Sequence, residues 1–200
     1  KYIEYLVEGA GSKQPLLQFN RSAFRIQWFK ANYPGAINIY LVRHPRDQWQ
    51  SYHELFKRTG FDVFYIQELL IASSNSGYES FRPLAKHLPL FKFHDENLER
   101  EIDFYRAVYD CYTSDENYLI YYYIWFRALI ENVLMADQII NINLLSKDPD
   151  YRQMLYRDLG QKGIGGVSFE DAKVRSYDSA NIRGQDLKAL EERVHRIVLQ

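Results

Sequence analysis

Three short apolar runs stand out in a chain whose other hydrophobic positions recur at helical spacing. Residues 16–19 (LLQF), 37–42 (INIYLV) and 139–142 (IINI) are brief, rich in Ile, Leu and Val, and bounded by polar or turn residues, which predicts strands. Each lies beside helical pattern. Residues 21–30 and 46–57 are amphipathic, the second with Trp49, Tyr52 and Phe56 at i, i+3 and i+7. A third helix is predicted over 62–72, ended by the serine-glycine patch 73–77, and Pro83 and Pro89 flank a short irregular link. Residues 95–109 place Leu98, Ile102, Tyr105 and Tyr109 on one face, and 185–199 place Leu187, Leu190, Val194 and Val198 likewise. Strands alternating with helices predict an α/β class with a parallel sheet flanked by many helices.

The segment 118–135 is the most apolar, with Leu119, Ile120, three consecutive tyrosines, Ile124, Trp125 and Phe126. Arg127, Glu131 and Asn132 interrupt it, and a central arginine alone costs roughly 2.5 to 3.5 kcal/mol on insertion scales. No membrane span is expected. Thr113 with Glu116 three residues later forms a capping-box pattern, so a buried helix starting near Thr113 or Ser114 is predicted. Its tyrosines either pack in the core with hydroxyls on polar partners, or line a pocket and stack on a base or aromatic acceptor.

Two hundred residues suit one domain, 1–200, with 1–14 read as a linker or irregular start. The 25 basic and 26 acidic side chains give a net charge of −1, so no global field draws the chain to nucleic acid, and an anion site must be local. The single Cys111 excludes an internal disulfide framework and points to a reducing, cytoplasmic setting. The five histidines show neither HExxH nor zinc spacing with cysteine, so no metal site is expected.

The chemistry concentrates at 37–51, INIYLVRHPRDQWQS. Pro34-Gly35 turns the chain into the strand, and Pro45 ends it and suits the first turn of a helix. Arg43 therefore sits at the carboxyl edge of a sheet, where ligands bind in open α/β folds and helix N-termini favour anions. Its planar fork can hold a phosphate, and Ser51, off the apolar stripe of the following helix, adds a hydroxyl. On spacing alone, Arg43 pairing with Asp47 while Ser51 faces water is the favoured reading, because strand-loop-helix units with an arginine at the junction are common. Arg21, just after the first run, could reach an anion across the strand ends or face solvent; Arg25, one turn on, reads as a solvated face.

With Arg43, Pro45, Arg46, Asp47 and Ser51 in this order, the segment resembles the 3′-phosphate-binding element of sulfotransferases that use 3′-phosphoadenosine 5′-phosphosulfate (PAPS). Upstream, Leu16-Leu17-Gln18-Phe19-Asn20-Arg21 and Tyr33-Pro34-Gly35-Ala36 are similar to the strand and "FPGA" turn of bacterial members. Downstream, Trp125, the run 139–145, Asp148-Pro149, Leu155 and Leu159-Gly160 resemble the family's late strand, "DP" helix and "LG" end. The likeness is close over about 15–60 and loose over 115–160. It implies a P-loop NTPase-like, sulfotransferase-like fold, PAPS as sulfonate donor, a small-molecule or carbohydrate acceptor, and cofactor binding by Arg43, Ser51 and Arg21.

The family's phosphosulfate loop precedes everything seen here, so the resemblance implies either an N-terminally truncated domain or a degenerate relative. Gly9-Ala10-Gly11-Ser12-Lys13 is followed by Gln14-Pro15 rather than a helix, and reads as a linker. Some branches place a catalytic histidine near the first strand; Asn20 stands here and cannot act as a base, so no catalytic residue is assigned. Lys162-Gly163-Ile164-Gly165-Gly166 reads as a connecting loop, although it is similar to the family's late glycine-rich loop. The alternatives are a nucleotide kinase-like phosphotransferase, which needs GxxxxGK[ST] and Mg²⁺ ligands, and a non-catalytic nucleotide-binding or interaction module that keeps the fold.

Overall fold

A computed structural model describes residues 2–19, 23–174 and 186–199. The protein is α/β and mostly helical, built around one two-stranded parallel sheet. Strand β1 (Ile39–Val42) pairs with β2 (Gln138–Asn141) in the register Ile39 to Gln138 and Val42 to Asn141. Five helices cross between them: α3 (Pro45–Thr59), α4 (Val63–Asn75), α5 (Arg82–His87), α6 (Leu98–Cys111) and α7 (Ser114–Met135). Before β1 come α1 (Tyr2–Gly9) and α2 (Ile26–Asn32), and after β2 come α8 (Ile142–Lys147), α9 (Pro149–Gln161) and α10 (Leu187–Val198).

Helix α7 is the axis of the main core, as its nearly all-round apolar surface requires. Tyr118, Leu119, Ile120, Tyr121, Tyr122, Tyr123 and Ile124 are all buried. The tyrosines are core residues with served hydroxyls. Tyr121 donates to the Pro45 carbonyl at 2.9 Å, Tyr123 to the Ser80 carbonyl at 2.6 Å and Tyr118 to Glu191 at 2.6 Å. Trp49 of α3 lies within 5.5 Å, ring to ring, of Tyr65, Tyr118 and Tyr121, which anchors α3 in the same core. A smaller cluster of Ile140, Leu145 and Leu155 packs α8 and α9 beneath the sheet.

The expected capping box starts α7. Thr113 Oγ1 accepts from the Glu116 amide at 3.2 Å, and Glu116 Oε2 accepts from the Thr113 amide at 2.8 Å. Thr113→Ala should lower stability by about 1 kcal/mol, read as a shifted denaturant midpoint at unchanged slope.

Several expectations are corrected. Residues 16–19 form no strand: Leu16 is 89% exposed, and the Phe19 ring lies 5.1 Å from that of Phe29 of α2. A four-residue run gains a strand's hydrogen bonds only beside a ladder partner, and none is present among the described residues. Among the described residues the anticipated larger sheet is therefore reduced to two strands, and the P-loop NTPase-like fold is not established. The start expected to be irregular contains α1, and the link between Pro83 and Pro89 contains α5, with Pro83 in its first turn where a missing amide costs nothing. The second strand ends one residue early because Asn141 caps α8, accepting from the amides of Asn143 and Leu144. Among the described residues, no helix is long and apolar enough to cross a membrane.

Candidate functional site

The site grows from the way the two strands are tied together. At their entry ends, Asp137 accepts from Lys30 Nζ and the Asn38 amide, each at 2.8 Å. Burial pushes its pKa up, but these hydrogen bonds outweigh burial and hold the carboxyl below its ordinary value. At the exit ends, Asn143 does the equivalent work with a neutral amide. Its Oδ1 accepts from the His44 amide at 2.8 Å and its Nδ2 donates to the buried Asp47 at 2.7 Å. Here β1 leaves the sheet, Pro45 opens α3, and Asn141 opens α8. The N-terminus of α3 thus lies at the carboxyl edge of a parallel sheet, a position that favours negative charge.

Arg43 occupies the first position after β1 and is half-buried. Its charge is felt by two hydroxyls behind it. Burial raises the pKa of Tyr121, helped by Tyr52 and Glu68, and Arg43 opposes the rise. Burial and Glu68 raise that of Tyr52, opposed by the 2.6 Å hydrogen bond from Gln48 and by Arg43. The backbone after Arg43 is fixed independently of the guanidinium. Arg46 forms a bidentate pair with Glu191 of α10, Nε and Nη2 each donating at 2.8 Å, and Glu191 also accepts from Tyr118. Burial raises the Glu191 pKa, but the Arg46 and Tyr118 hydrogen bonds and the Arg46 charge bring it below the ordinary carboxylate value. Asn143, Glu191 and Tyr121 therefore hold residues 44–47 from three directions.

Ser51 lies in the second turn of α3, about 9 Å along the axis from Pro45 at 1.5 Å per residue. It is half-buried, and its hydroxyl makes no hydrogen bond among the described residues. The N-cap of α3 is His44, whose side chain makes no capping hydrogen bond. Arg43, the head of α3 and Ser51 thus share one strand-turn-helix unit, as expected from the spacing. Arg21 lies outside the described residues. Arg25 ends a short 3₁₀ turn and is exposed. Residues 162–166 form an exposed turn after α9, consistent with a connecting loop.

Asn143, Glu191 and Glu68 were not singled out from the sequence. Glu68 carried a signal, being the lone acid inside the apolar run 63–72; Glu191 carried none, because its partner lies 145 residues away. Among the described residues no cluster of His, Cys, Asp and Glu could hold a metal ion. No protein-family profile matches the chain, and neither a curated protein nor a solved structure does.

Proposed function

We propose that this chain carries the 3′-phosphate-binding half of a PAPS-dependent sulfotransferase. The observation that carries the reading is Arg43 at the carboxyl end of a parallel strand, opening directly onto a helix whose own N-cap side chain, His44, makes no capping hydrogen bond, with the Ser51 hydroxyl on that helix. The donor set fits a phosphate group: a permanently charged planar fork, a neutral hydroxyl and the positive end of α3. Arg43 supplies charge and orientation, Ser51 a second hydrogen bond, and the Arg46–Glu191 pair keeps the turn between them in place. PAPS, when bound, supplies an activated sulfonate for transfer to a hydroxyl or amine of a small-molecule or carbohydrate acceptor.

Titration calorimetry with adenosine 3′,5′-bisphosphate tests the binding step. The chain should bind it, with Arg43→Ala weakening binding roughly tenfold to a hundredfold, as expected for lost charge-assisted hydrogen bonds, and Ser51→Ala by roughly threefold to tenfold. Equal affinity in both variants and the parent would remove these residues from the site. Transfer of labelled sulfonate from PAPS across a panel of hydroxyl and amine acceptors then tests the activity.

A further inference from the structure

A small cavity lies behind the anion site, between α3, α4, α6 and α7, lined by Trp49, Tyr65, Glu68, Leu69, Tyr109, Asn117 and Ile120. Its room for a guest is about that of one water molecule. Its wall residues include buried polar atoms with no hydrogen-bond partner among the described residues, among them Trp49 Nε1, Glu68 Oε2 and Asn117 Oδ1. Such atoms are rare in folded proteins and costly to leave unserved. Glu68 as a residue is half-buried, but its Oε2 is enclosed. The Asn117 orientation is set by its other end, since Nδ2 donates to the Tyr109 carbonyl at 3.1 Å, and a flipped amide would set two acceptors against each other.

We propose that this cavity is the binding site of one internal water molecule that bridges α3, α4 and α7 through Trp49, Glu68 and Asn117. The atom types select the occupant. An indole N–H only donates, so the guest must accept, which a potassium or ammonium ion cannot do. An amide oxygen only accepts, so the guest must donate, which a halide or other simple anion cannot do. Water does both and fits the room. Burial pushes the Glu68 carboxyl up to about 8, so at neutral pH it carries a proton and can itself donate to the guest. The titratable groups around it include the hydroxyls of Tyr52, Tyr65, Tyr109 and Tyr121 and the His53 ring packed on Trp49 and Tyr65, with the Arg43 guanidinium beyond Tyr52 and Tyr121. The bridge ties the helix that carries Ser51 to the core by something other than apolar contact, and it holds whether or not the chain binds PAPS.

A high-resolution crystal structure and water-to-protein cross-relaxation in solution test the assignment. The expected result is one ordered water within hydrogen-bond distance of all three atoms, with a water cross-peak to the Trp49 indole proton in the parent and in Glu68→Gln, which keeps a donor and an acceptor. A direct Trp49 to Glu68 hydrogen bond without water, or an empty cavity, would overturn it. So would a Trp49 signal that shifts with potassium or ammonium chloride and not with choline chloride.

Discussion

Glu68→Gln should stabilise the protein at pH 7 by about 2 to 3 kcal/mol. In the folded chain burial pushes the Glu68 carboxyl up to about 8, against 4.5 when it is solvated. The folded state therefore holds a proton that the unfolded chain has already released at neutral pH. The sign follows from linkage: this group costs nothing below pH 4.5, costs progressively more as the pH rises toward 8, and costs a constant amount above it. At pH 7 the full gap would be roughly 3.4 kcal/mol at 1.36 kcal/mol per unit, and partial access of the side chain to water reduces it. Glutamine keeps the shape without the ionisation. Chemical denaturation between pH 5 and 9 should show the parent losing stability with rising pH relative to the variant. Parallel curves would mean that Glu68 is solvated in the folded protein.

Glu191→Ala should destabilise by about 3 kcal/mol and weaken anion binding at the head of α3. Glu191 accepts three hydrogen bonds, two from Arg46 and one from the buried Tyr118. Alanine leaves a partly buried guanidinium and a buried hydroxyl unserved, and the larger part of the cost is that desolvation. A double-mutant cycle with Arg46→Ala should give a coupling of about 1 to 2 kcal/mol, above the usual value for exposed pairs because the pair is bidentate and mostly shielded. Since the Glu191 pKa is lowered on folding, its contribution is complete above pH 4.5 and is lost as the pH falls through the folded value. Additive single mutants would reduce the pair to a surface contact.

The Arg43–Pro45–Ser51 unit, the Thr113 box and the Asp148-Pro149 start of α9 were legible because each is a local pattern, settled within one or two turns of chain. The 16–19 run was misread for the complementary reason. Four apolar residues suit a strand only if another segment offers them a ladder, and no pattern inside the run reports that. The short helices α5 and α8 were missed because six residues hold too little periodicity to be told from a link.

By itself the sequence determined the class, the parallel direction of the strands, the burial of α7 and the position of Arg43 at the end of a strand. These follow from hydrophobic period, proline and capping chemistry, which act over a few residues. Only the tertiary structure decided how many strands pair, that Arg46 belongs to Glu191 rather than to an anion, that Asn143 locks the turn, and that Glu68 shares a polar cavity with Trp49 and Asn117. Those outcomes depend on which distant surfaces meet. Burial and partner choice are properties of the packed chain, and one local spacing fits several of them.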